Sequence, residues 1–257
     1  MERSFGSRLR AAGFAAFIHL SGSVVVAALA AILVFGLWYP FPYRELAGGR
    51  ELFVLVVLVD IILGPLLTLV LFAPTKIPKE LWRDLTFVVI LQLFALGYGV
   101  WTVWQARPLF LVAELDRFKV ISRPVLEQGS IDALPQGLQP RSFSGPITTA
   151  IRDPKDTNEK NTVLFESIQG GRDYGERPNF YIPYEGAAAL KSLKHARPLE
   201  PFLQKYPLQR KNALELANQT GLRLEAVLYL PVIARQEWIA LLNEKGIVIG
   251  FLKGDGF

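Results

Sequence analysis

The sequence predicts an α-helical membrane protein with three transmembrane helices, followed by a C-terminal α+β soluble domain. Three observations carry that reading. Long apolar runs crowd the first 106 of 257 residues. Mean hydropathy is +0.29 with 51% hydrophobic residues, too apolar for an ordinary soluble chain and too polar for one lying wholly in lipid. The remaining stretch, roughly 150 residues, mixes charge, proline and glycine in ordinary proportion and is long enough to bury its own core. The predicted division is a membrane domain over 1–107, with spans near 14–39, 52–73 and 85–106, and an extracytoplasmic domain over 108–257.

The first run, Phe14 to Tyr39, follows Arg3, Arg8 and Arg10. A secretory signal also begins basic, and Ala28-Leu29-Ala30 fits a small-residue cleavage pattern. Ile32-Leu33-Val34-Phe35 continues the run past that point, well beyond a ~7–15-residue signal core, so the segment reads as an uncleaved anchor. A turn-rich stretch, PFPYRELAGGRE, leads to the second run, LFVLVVLVDIILGPLLTLVLFA. At ~1.5 Å per residue it crosses a ~30 Å hydrocarbon core as one helix. The third run ends in Tyr98, Trp101 and Trp104, amphipathic rings suited to a membrane interface.

Lysine and arginine set the orientation. The N-tail and the 74–84 loop carry Arg3, Arg8, Arg10, Lys76, Lys79 and Arg83; the other side carries Arg44, Arg50, Arg107, Arg117 and Lys119. The last three open a long domain, whose translocation depends little on charge, so the short segments favour a cytoplasmic N-terminus and an external C-terminal domain.

In the soluble part, Leu109 to Ile121 reads as a strand that Asp116-Arg117 bends or interrupts. Residues 122–162 read as loop with short strands at most, and Leu164 to Ile168 as a brief strand or the start of a helix. Arg177 to Pro183 is extended, because residues before proline avoid helix. Helices are expected at Glu185–His195 and Gln209–Thr220, with a short helical turn over Leu199–Tyr206. Strands follow at 226–234, 238–243 and 247–252, the last two joined by a turn ending in Gly246. Pro231 places its strand at an edge or a bend.

Composition also excludes. There is no cysteine, hence no disulfide, thiolate metal site or cysteine nucleophile. Basic and acidic residues number 9 and 6 up to Arg107, and 19 and 17 beyond it, too even to suggest nucleic acid. Asp60 is the only acid inside a span, so no paired-carboxylate protease is built there. His19-Leu20-Ser21-Gly22 faintly resembles a serine-protease loop but lacks its leading glycine. The other histidine, His195, falls in the soluble part on a solvated helix end, so no two-histidine zinc motif forms. No catalytic, cofactor-binding or metal site is expected.

The candidate site is an intramembrane polar and packing group: Asp60 with Tyr98 and Ser23, and Gly64 and Pro65 one turn on. A carboxylate at bilayer depth costs roughly 2.5–3.5 kcal/mol on insertion scales, so it faces a bundle interior and needs a partner. Either Asp60 pins helices through Tyr98 or Ser23, or it receives another protein's transmembrane helix, or it relays a proton or ion. Gly64 allows close helix approach, and Pro65 kinks the span.

The order Trp38-Tyr39-Pro40, VDIILGPLLTLVLF, Leu81 to Asp84, then LQLFALGYGVWTVWQARPLFLV and Glu114 to Phe118 resembles the type IV pilin accessory proteins of the TfpX/TfpZ family. The terminal LPVIARQEWIALLNEKGIVIGFL is similar to that family's ending. The resemblance implies a non-enzymatic protein of the bacterial inner membrane, with a periplasmic C-terminal domain. Its partners would be a type IV pilin subunit, met at its transmembrane helix and head domain, and membrane lipid. The alternative is a membrane-anchored sensor or ligand-binding module with residues 108–257 as receiver.

Overall fold

The computed structural model describes residues 2–73 and 75–257. Pro74, first residue of the predicted 74–84 loop, lies outside the described residues, as does the Arg3 side chain. The chain forms two compact units, one of Met1–Leu37 with Gly49–Gln105, the other of Trp38–Gly48 with Ala106–Phe257.

The first unit is three long helices. Helix α1 (Glu2–Leu33) runs into a π-helical turn, Val34–Trp38. After the short α2 (Tyr43–Leu46) of the second unit come α3 (Gly49–Leu71) and α4 (Pro78–Gln105). Arg8–Trp38, Gly49–Leu71 and Pro78–Gln105 are each long and apolar enough to cross a membrane. Lipid offers no hydrogen bonds, so unbroken helices are the economical way to satisfy backbone there. Pro78 occupies the first helical position of α4, where no N–H is needed. Lys76 Nζ donates to the Leu71 carbonyl at the end of α3 and pairs with Asp84, each at 2.8 Å. Pro65 lies inside α3, where its missing N–H weakens the ladder.

Inner helix faces are marked by small and polar residues. Ala12, Ser23 and Ala27 are buried on α1; Phe53, Asp60, Gly64 and Thr68 on α3; Val88, Leu96 and Gly99 on α4. A Cβ on Gly99 would overlap Val56, so that glycine sets how closely α3 and α4 approach. The outer faces expose Leu58, Ile62, Leu66, Phe87, Ile90 and Phe94, a surface suited to lipid.

The second unit is a mixed sheet of eight strands with helices on its faces. Its strands are β1 (Pro108–Ala113), β2 (Phe118–Ser122), β3 (Ile147–Ile151), β4 (Tyr181–Pro183), β5 (Arg197–Pro198), β6 (Leu228–Ile233), β7 (Trp238–Leu242) and β8 (Val248–Lys253). The order is β4-β3-β1-β2-β6-β7-β8, with β5 pairing beside β6. Pairs β1–β3 and β2–β6 are parallel and the rest antiparallel. Strand β7 is apolar throughout because both faces are covered. Ala240 and Leu242 meet Leu111, Phe118 and Leu230. Ile239 and Leu241 meet Leu203 of α8 (Leu199–Lys205) and Ala213 and Ala217 of α9 (Arg210–Gln219). On β1, Phe110 and Val112 pack under 126–138, a stretch holding α5 (Gln128–Asp132).

Residues 38–48 are built into this sheet unit rather than forming a free loop. Tyr43 and Leu46 belong to the core around Leu111 and Trp238. Arg235 N–H donates to the Leu46 carbonyl (3.0 Å), and Gly48, with φ 73°, lies against the Arg235 side chain. The Ser142 carbonyl accepts from Trp38 Nε1 (2.9 Å) and from the Arg107 guanidinium (3.1 Å), which also reaches the Arg141 carbonyl (3.3 Å). Burial, with Arg123 nearby, pushes Arg107 down to about 10. One loop thus holds the end of the first apolar run and the end of the third.

Several elements refine or differ from expectation. The strand over 109–121 is interrupted where Asp116-Arg117 was expected to bend or interrupt it, and its halves pair as a hairpin across 114–117, where Glu114 N–H donates to the Arg117 carbonyl. Within 122–162, expected as loop with short strands at most, lies the first half of α6 (Thr157–Ile168). Asp156 caps it by accepting from the Glu159 N–H, a start signal that outweighs the polar composition. Pro231 is not at an edge, since β6 has β7 on one side and β2 and β5 on the other. Its register explains the tolerance: β5 pairs with 228–229 and β2 with 232–233, so proline sits where the ladder changes partner. The turn before β8 has Gly246 at φ 76°, with Asn243 Oδ1 accepting from the Lys245 and Ile247 N–H groups.

Candidate functional site

Six polar or small residues from three helices meet inside the first unit. On α3, Asp60, Gly64 and Thr68 recur every four residues and form one buried stripe. On α1, His19 and Ser23 have the same spacing. Gln92 of α4 reaches between them. Its Nε2 donates to Ser23 Oγ (2.9 Å) and to the Asp60 backbone carbonyl (3.0 Å). Its Oε1 meets His19 Nε2 at 2.5 Å, and His19 Nδ1 meets Thr68 Oγ1 at 2.5 Å. With Nε2–H donating to Gln92 and Nδ1 accepting from Thr68, each contact has one donor and one acceptor.

Gly64 makes the arrangement possible, because a Cβ there would occupy the space of the Gln92 carboxamide. Asp60 is buried at 6% exposure, and its Oδ1 has no hydrogen-bond partner among the described residues. The network therefore passes through the backbone of Asp60 and leaves one carboxyl oxygen over.

Of the residues singled out in the sequence, Ser23, Asp60 and Gly64 come together here, and Pro65 follows Gly64 on α3. Tyr98 does not join them. It is 69% exposed on α4, with its ring 5.8 Å from Trp101. His19, Thr68 and Gln92 were missed as members. The four-residue spacings His19–Ser23 and Asp60–Gly64–Thr68 were the available signal. Ser21 is on the exposed side of α1 and donates to the Phe17 carbonyl, so it forms no pair with His19. His195 is exposed at the end of α7 (Gly186–Leu193).

A family model described as "Fimbrial assembly protein FimB" matches residues 7–48. The chain is 34% identical over 246 residues to the serogroup I fimbrial assembly protein of Dichelobacter nodosus, covering 93% of this chain and 94% of that one. The serogroup E1 protein of the same organism is 32% identical over the same shares. The protein of serogroups C1 and C2 is 41% identical over 119 residues, 46% of this chain and 88% of that one. The chain belongs to the fimbrial assembly protein family. That agrees with the pilin-accessory resemblance drawn from Trp38 through Phe118. No solved structure matches this chain. The two relatives with 93% coverage extend over both of its units, so the sheet domain belongs to the family as much as the helices do.

Proposed function

We propose that the protein is a non-enzymatic accessory of type IV pilin subunits in the bacterial inner membrane. Its three helices would shelter the apolar helix of a subunit laterally, and its sheet unit would lie in the periplasm beside the subunit head. The carrying observation is the pairing of an apolar-faced bundle with a sheet unit along a chain related over 93% of its length to fimbrial assembly proteins. The packing of 38–48 with 106–257 supports the topology. Three crossings put those two segments on one side of a membrane, as a shared core requires. The lysine and arginine bias of the short segments favours that side as the external one.

Within this reading Asp60 is a packing group. Its free oxygen is buried inside the helical unit, out of ready reach of a partner helix. Asp60→Asn is then expected to leave the protein's level and surface pili near normal. Asp60→Leu keeps the backbone contact to Gln92 and removes an unpaired buried oxygen, so it too is expected to accumulate near normal with pili intact. Immunoblots of this protein and of surface pilin on the same cells check both. Normal accumulation of both variants with loss of pili would replace the packing role by direct pilin contact.

A further inference from the structure

The second unit contains a cavity of about 820 Å³ that the pilus reading leaves unused. It opens where β1, β3 and β4 end side by side, against the first turns of α7. Its size lies within the ~300–1,000 Å³ of ligand pockets, more than one side chain can fill. The apolar lining includes Ala113, Ala150, Ile182, Ala187 and Ala188.

Most charges around it are already matched. Arg152 forms two 2.8 Å bonds to Glu159, Lys191 pairs with Asp153 at 2.6 Å, and Arg117 with Asp116 at 2.7 Å. Behind the wall, Lys119 pairs with Glu176 at 2.7 Å. Glu114 and Lys160 are less well matched. The Glu114 carboxylate accepts no hydrogen bond among the described residues, and the cation nearest it is Arg117 Nε at 3.9 Å, turned towards Asp116. Gly175 leaves it room, since a Cβ there would meet Glu114 Oε1. A carboxylate drawn out of water without donors is costly, and a cation entering the cavity would supply them.

We infer that this cavity is a binding site for a lysine or arginine side chain presented on a peptide segment, with Glu114 as the counter-ion. The aliphatic stem would lie along Ala113, Ala150 and Ile182 while the cation reaches the carboxylate. Lys160, which pairs with no acid among the described residues, also lines the cavity and disfavours a ligand that is cationic along its whole length. The inference rests on the cavity and stands whether or not the partner is a pilin.

The test is calorimetric titration of the full chain in detergent micelles with acetyl-Ala-Lys-Ala-amide, its arginine and norleucine counterparts, and putrescine. Saturable binding of the lysine or arginine peptide is expected, with the norleucine peptide weaker by roughly tenfold or more. Glu114→Gln should lose the same factor. Ala187→Trp, at an exposed position on the cavity wall, should block binding and covers the case in which Glu114→Gln fails to fold. Equal binding of lysine and norleucine peptides, undiminished binding by either folded variant, or no binding of any peptide would overturn the inference. Binding of putrescine alone would overturn the peptide source.

Discussion

Replacing Gln92 by leucine removes three polar contacts that α4 makes to the other two long helices: to Ser23, to His19 and to the Asp60 carbonyl. Side-chain hydrogen bonds between membrane helices average ~0.6 kcal/mol and reach ~1.7, so Gln92→Leu should cost about 2 kcal/mol and at most about 5. The assay is reversible SDS unfolding of the full chain in mixed micelles, followed by circular dichroism. A double-mutant cycle with His19→Ala isolates one contact and should return a coupling of ~0.6–1.7 kcal/mol. Gly64→Ala offers an independent check, because its new Cβ must displace the same carboxamide. It should therefore cost less in the Gln92→Leu background than in the native one. Ser21→Ala, on the exposed face of α1, should change nothing measurable. Full stability of Gln92→Leu, or strictly additive Gly64 and Gln92 effects, would refute the buried network.

Two further outcomes follow. A reporter active only outside the cytoplasm should work when fused after Phe257 and stay silent when placed within residues 75–84; the reverse pattern would invert the proposed topology. Burial raises the Glu114 carboxyl, with Asp173 and Asp116 adding to the rise and Lys119 and Arg117 opposing it. A raised folded pKa favours the fold below the ordinary carboxylate range and loses that contribution as pH climbs through the raised value. Glu114→Gln should therefore match or exceed the native thermal midpoint at pH 7, and any advantage should shrink in acid; a midpoint well below native at pH 7 would show that Glu114 has a structural partner.

The three long helices were legible because hydropathy over some twenty residues overrides every local preference. The polar network was only half legible. Helical spacing puts Asp60, Gly64 and Thr68 on one stripe, but a single sequence does not fix which turn of α4 faces it. Matching depths suggested Tyr98, which lies outward, and passed over Gln92, whose length lets it bridge all three helices. In the sheet unit, β7 and β8 announced themselves through an apolar run and a glycine turn. Helix α6 did not, since it buries Val163 alone among its residues and rests on the Asp156 cap. The place of 38–48 was hidden for a different reason. Tyr43 and Leu46 find their partners on strands far along the chain, and no local pattern reports such a contact.

The central claim, that the apolar helices receive a pilin subunit, is tested most directly by photocrosslinking in living cells. Leu58, Ile62 and Leu66 form an exposed stripe on α3 and can each carry a photoreactive residue. Irradiation is expected to give an adduct of this protein with the pilin in cells that make pilin, and none in cells deleted for it. Lack of any pilin adduct from all three positions, with pilin present and the protein at its normal level, would contradict the account.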